Sequence, residues 1–190
     1  MNFETSLREG KSKKVMLNKI RASSLLGSSV QAIDTARVIP LSNNSSKTIL
    51  RELYEGLREY CEAIGYMNGY KFLDHESIGF FLRDILKEQS LFKKFDRYRK
   101  LRNGINYYGD YIEIETVKEA ISEIPELIKE LFKIINNKEY NLEEMWLYNG
   151  LLNLRHNSRI LRSNLINELK NDVKLMLYNH EEFIKTRVRN

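Results

Sequence analysis

Along most of this chain, apolar residues recur at steps of three and four, and the breaks between the runs are short and polar. That period predicts helices, each with one face turned to a core. The clearest run is Leu50, Leu53, Tyr54, Leu57, Tyr60, Cys61 and Ile64. It predicts a core-facing amphipathic helix that ends at Gly65 and Gly69. Ahead of it, residues 13–39 predict one long helix, with Ile20, Leu26, Val30, Ile33 and Arg37 at helical spacing. Its middle is crowded with small residues, Ala22, Ser23, Ser24, Gly27, Ser28 and Ser29, which let a neighbouring helix come close. Pro40 stops this helix, and the polar stretch at 42–46 supplies the next N-cap.

Beyond Gly69 the same reasoning predicts three more helices. Asp74 caps one that carries Ile78, Phe81, Leu82, Ile85 and Leu86. A second begins near Ser90, turns Phe92, Phe95, Tyr98 and Leu101 inward, and is interrupted by Gly104 and Gly109. Residues 110–115 alternate enough to be a short extended connector. Thr116 and Glu119 have the spacing of a capping box, opening a third helix with Val117, Ala120, Ile121, Ile124, Leu127, Ile128, Leu131 and Ile135. Pro125 inside it predicts a kink.

The expected fold class is therefore all-α, an antiparallel helical bundle of four to five helices with a C-terminal helical extension. Residues 1–12 are expected to be a flexible N-terminus, 13–136 the bundle, and 137–190 the extension. In the extension Leu147, Leu151, Leu154, Leu161, Leu165, Leu169 and Met176 keep a helical spacing, and Arg155, Arg159 and Arg162 line one side.

Composition changes this picture little. Hydrophobic residues make up 42% and charged residues 30% of the 190, with only two prolines, as expected of a globular helical protein. No apolar run approaches the roughly 20 residues that span a bilayer, and no apolar signal segment follows the N-terminus. A cytoplasmic protein without a membrane partner is expected. The lone Cys61 excludes an internal disulfide and a cysteine metal site. There is no zinc-ligand spacing and no glycine-rich phosphate loop, so neither metal nor cofactor is expected. The net charge of +5 permits nucleic-acid binding without requiring it.

Where the charge sits is more telling. Residues 93–109 hold Lys93, Lys94, Arg97, Arg99, Lys100 and Arg102 against a single Asp96, with Tyr98, Tyr107 and Tyr108 interleaved. Such a surface engages phosphates by charge and bases by stacking. Continued as an α-helix, the segment puts Arg99, Asn103 and Tyr107 on one face and Arg102 and Asn106 on the next. A less favoured reading makes the helices around Asp74 and Ser90 a DNA-binding helix-turn-helix, against which Phe92, Phe95 and Tyr98 are needed for the core.

Arg102-Asn103-Gly104-Ile105-Asn106-Tyr107-Tyr108-Gly109 resembles the motif of the HEPN family of prokaryotic helical bundles: Arg, a polar residue, three variable residues, His, one residue, Gly. The order of the helices is similar too, and the resemblance covers roughly residues 10–135. It implies a compact bundle that forms a homodimer, with two motif copies meeting in a cleft. In ribonuclease members, the Arg stabilises charge on the phosphorane and the His assists removal of the 2′-hydroxyl proton, without metal. Carried over, the resemblance assigns catalytic roles to Arg102, Asn103 and Tyr107. RNA-binding roles fall to Arg97, Arg99, Lys100, Asn106 and Tyr108.

Tyr107 stands where the family has its His. Phenols ionise near pH 10 and imidazole near 6.5, so a Tyr there is a poor base. His75, His156 and His180 do not follow an arginine at the motif spacing. His75 reads as part of a helix start.

Two functions follow from the resemblance. One is an RNA-binding protein of the toxin class, a metal-independent endoribonuclease with an altered or lost active site. The alternative is a catalytically silent partner of a nucleotidyltransferase in a toxin-antitoxin-like pair, with Tyr107, Tyr108 and Tyr111 as a contact patch or as targets of nucleotide transfer.

Overall fold

A computed structural model describes residues 1–136. The predicted extension at 137–190, with its arginine row and with His156 and His180, lies outside the described residues. Within them are six α-helices, one π-helical turn and one small two-stranded sheet, so the chain is mostly helical. No helix among the described residues is long and apolar enough to cross a membrane.

The central element is α3 (Ser46–Met67), and it follows the sequence pattern closely. All seven apolar residues predicted to face inward are buried, Cys61 among them. Gly65, however, does not end the helix. It lies within the last turns, where a Cβ would overlap the Phe72 ring. The turn belongs to Gly69, whose φ of +76° is the left-handed conformation that glycine adopts freely.

Against α3 lies α2 (Lys19–Val38), capped by Asn18, whose side chain accepts from the Arg21 N–H at 2.8 Å. Its inward face is Ala22, Ser23, Leu25, Leu26, Ser29, Ala32, Ile33 and Ala36, while Ile20 and Arg37 are exposed. The small residues do allow close approach. Ser29 Oγ donates to the Gly56 carbonyl at 2.7 Å, and a Cβ on Gly56 would lie 2.8 Å from the Ile33 side chain.

The helix predicted from residue 13 starts later because Ser12–Lys14 forms β1, paired antiparallel with β2 (Tyr70–Phe72). The expected flexible N-terminus is also corrected. Residues Phe3–Arg8 form α1, with Phe3 buried and set edge-on to Phe81 at a ring-centroid distance of 5.7 Å. Ser6 Oγ bonds Ser12 Oγ at 2.8 Å and Ser77 Oγ at 2.6 Å, which satisfies three buried hydroxyls together. The Phe3 N–H donates to Asp84 Oδ2 at 2.8 Å.

Asp74 caps α4 (His75–Asp84) as predicted, accepting from the Ser77 N–H at 2.8 Å. Leu86 is buried, but Ile85 is exposed. In α5 (Gln89–Asn103), Leu91, Phe95 and Tyr98 are buried. Its interruption falls at Gly109 alone, because Gly104 opens a π-helical turn (Gly104–Tyr108) that continues the helix.

The last described helix, α6 (Ile114–Asn136), begins two residues before Thr116, so the predicted capping box does not start it. Pro125 lies inside this helix. Val117, Ala120, Ile124, Leu127 and Leu131 bury its inner face, and α6 packs against α3.

Candidate nucleic-acid interface

The π turn reorganises the predicted site. Its i→i+5 bonding puts residues five apart in line, where an α-helix would align residues four apart. Arg102 is therefore stacked near Tyr107, with Cζ 6.0 Å from the ring centroid. The same Cζ lies 6.0 Å from the ring of Tyr54 on α3, and Nη1 donates to Asn103 Oδ1 at 3.3 Å. Arg102, Asn103 and Tyr107 are thus brought together, but Arg99 is held elsewhere.

Among the predicted RNA-binding cations, three pair with carboxylates, Arg99 and Lys100 sharing Asp96. Arg97 makes a two-pronged bond to Glu119, with Nη1 2.7 Å from Oε1. Arg99, with 16% of its side chain exposed, bonds Asp96 at 2.7 Å and approaches Glu76 at 3.9 Å. Lys100 reaches Asp96 at 2.7 Å. The expected basic face of α5 thus carries carboxylates that compete with a phosphate for these cations. An open concavity of about 480 Å³ lies beside Lys93, Arg97 and Lys100, but neither Arg102 nor Tyr107 lines it.

Three cations close to the motif make no ion pair with a carboxylate among the described residues. Arg51 Nε donates to Asn106 Oδ1 at 2.6 Å, Lys47 Nζ donates to the Gly109 carbonyl at 2.9 Å, and Arg102 meets an amide and two rings. They gather where the first turns of α3 meet the π turn. No acidic residue occupies the first turn of α3, so the positive end of that helix adds to theirs. Tyr107 and Tyr108 stand beside them at 71% and 81% exposure, and Tyr111 is also exposed. Cations with free charge and aromatic faces open to solvent can hold a phosphate backbone and stack its bases.

Lys47, Arg51 and His75 belong to this region and were missed by the motif reading. The signal for the first two is their spacing: Lys47, Arg51, Glu55 and Arg58 form a polar stripe at steps of four and three beside the apolar one. His75 carries no such signal. It begins α4, and its Nδ1 lies 3.0 Å from the hydroxyl of the buried Tyr54. Burial pushes the imidazole below its ordinary pKa, and the Arg58 and Arg102 charges add to this against Glu55. Burial also pushes the Tyr54 phenol well up.

Arg58 anchors the inner end of the stripe. It bonds Glu55 and, at 2.5 Å, Glu62, with Glu59 3.7 Å away. Burial raises the Glu55 carboxyl, yet the Arg58 hydrogen bond and charge outweigh that and leave it below the usual range. No protein-family model, curated protein or solved structure matches this chain.

Proposed function

We propose that this chain is a HEPN-like RNA-binding protein. In this reading its helices form that family's antiparallel bundle, two copies pair, and single-stranded RNA lies over the junction of α3 and the π turn. The observation that carries it is the set Lys47, Arg51 and Arg102, cations with no carboxylate partner among the described residues, beside the exposed Tyr107 and Tyr108. Phosphates sit on the cations and bases on the rings. Arg102 remains the residue best suited to a phosphate at the motif. Tyr107 occupies the base position of the motif, so the site is an altered or lost metal-independent endoribonuclease site.

Mixed single-stranded RNA incubated with the protein and EDTA tests the catalytic half of this reading. The expected outcome is binding without cleavage by the wild type and cleavage by Tyr107→His. Cleavage by the wild type that Arg102→Ala abolishes shows a working tyrosine site instead. No cleavage by either protein removes the support for a disarmed nuclease.

The second reading is a silent partner for a nucleotidyltransferase, favoured by the high exposure of Tyr107, Tyr108 and Tyr111. Those phenols would be the contact or the acceptors of nucleotide transfer. A pull-down from native cells should then recover such an enzyme, and recovery by Tyr107→Ala/Tyr108→Ala at wild-type levels argues against it.

A further inference from the structure

Tyr54 is fully buried, and its hydroxyl has one hydrogen-bond partner among the described residues, Nδ1 of His75 at 3.0 Å. A buried hydroxyl needs an acceptor for its proton, and Nδ1 is the acceptor present. Tyr54 therefore donates and Nδ1 accepts. A neutral imidazole that accepts at Nδ1 carries its proton on Nε2. Among the described residues Nε2 has no hydrogen-bond partner, yet no buried side-chain nitrogen or oxygen is left unsatisfied. Nε2 is consequently not sealed from solvent, and it carries an N–H.

The surroundings keep the ring neutral. From α3 it is faced by Glu55 and Arg58, and from α5 by Arg99 and Arg102. On its own helix Glu76 leans toward Arg99, and Asp74 is occupied in capping. Glu55 is taken by Arg58, and Asp96 takes Arg99, so the carboxylates nearby are already engaged. Protonating the ring would also reverse the Tyr54 bond, leaving a buried phenol proton without an acceptor.

We infer that His75, its tautomer fixed by Tyr54, is a neutral Nε2–H donor for a phosphate oxygen at the Arg102 site. This rests on the phosphate-binding reading above and deepens it by adding a ligand-binding residue on α4. Tyr54 is the positioning residue, and both groups lie near its ring, 5.7 Å away for the His75 ring and 6.0 Å for the Arg102 guanidinium carbon. A neutral donor binds phosphate without the pH dependence of an imidazolium. It also cannot accept a 2′-hydroxyl proton at Nε2, so His75 does not replace the motif histidine as a base.

Nitrogen-detected NMR of the imidazole, with His75 identified by loss of its signals in His75→Gln, tests this on the full chain. The wild type should show an unprotonated Nδ1 and a protonated Nε2 at pH 7. Inorganic phosphate, compared with chloride at equal ionic strength, should shift the Nε2–H signal and leave Nδ1 unprotonated. Tyr54→Phe should release the tautomer and weaken phosphate binding about tenfold, the scale of one hydrogen bond to a charged group. His75→Ala should weaken it similarly, while His75→Gln, which keeps a donor, should retain most of it. A protonated Nδ1 in the wild type, or a His75 spectrum indifferent to phosphate, overturns the inference. RNA that binds through Arg51 and Arg102 without moving the Nε2 signal overturns it alone. A phosphate-shifted Nε2 signal in a protein that binds no RNA supports the anion site and removes the RNA reading instead.

Discussion

Arg51 Nε donates to the side-chain oxygen of Asn106 at 2.6 Å, joining the second turn of α3 to the π turn across 55 residues of sequence. An amide orients a guanidinium without cancelling its charge. That distinguishes Arg51 from Arg97, which spends two nitrogens on the Glu119 carboxylate. At the α3–π-turn junction, positive charge is therefore left available to a ligand.

The exposed tyrosines are expected to contribute by stacking. Tyr107→Ala and Tyr108→Ala should each weaken single-stranded RNA binding by about 1–3 kcal/mol if a base rests on the ring. At 71% and 81% exposure neither change should lower the melting temperature appreciably. Fluorescence titration with a labelled oligonucleotide, alongside thermal melts, checks both halves. An unchanged affinity in both variants argues that bases do not stack there.

Close packing of α3 predicts sensitivity at two glycines. A Cβ at Gly56 would lie 3.0 Å from the Ser29 carbonyl as well as against Ile33, and one at Gly65 would overlap Phe72. Gly56→Ala and Gly65→Ala should each destabilise the fold by about 1–3 kcal/mol, the usual cost of overpacking. Urea denaturation measures this. A neutral Gly65→Ala would mean that Phe72 and β2 shift freely.

Glu59 predicts a pH dependence of stability. Burial, with the neighbouring Glu55 charge, pushes its carboxyl up to about 7. Below the ordinary carboxylate range both folded and unfolded chains hold the proton. Between there and about 7 only the folded chain does, so this group's contribution falls as pH rises through that window. Glu59→Gln should be more stable than wild type at pH 8, by on the order of 1 kcal/mol after screening, and nearly equal to it at pH 4. Denaturation curves at the two pH values decide it, and an equal gain at both removes Glu59 as the source.

How far the sequence could be read depended on how local each cause was. The α3 stripe and the Asp74 cap are set within a few residues, and both appear where the spacing puts them. Helix α1 is only six residues long and is held by Phe81, Ser77 and Asp84, about 70 to 80 positions away, so no periodicity could announce it. The Thr116 and Glu119 spacing misled because α6 already runs from Ile114, and Glu119 pairs with Arg97 on another helix. At the site, the Arg102, Asn103 and Tyr107 grouping was legible. The π turn was not, and it exchanged Arg99 for Arg51 and Lys47. His75 was hidden for the same reason as α1, since its partner Tyr54 lies on a different helix.

The most direct test of the RNA reading compares two sets of cations. Anisotropy of a labelled single-stranded RNA, titrated at several salt concentrations, should be followed for wild type, Lys47→Ala/Arg51→Ala/Arg102→Ala and Arg97→Ala/Lys100→Ala. The first set should lose most of the affinity, and its log–log salt slope should fall by about 2, from three phosphate contacts at roughly 0.7 each. The second set should bind nearly as wild type does. The opposite ranking, or no RNA binding by the wild type even at low salt, would contradict the RNA reading.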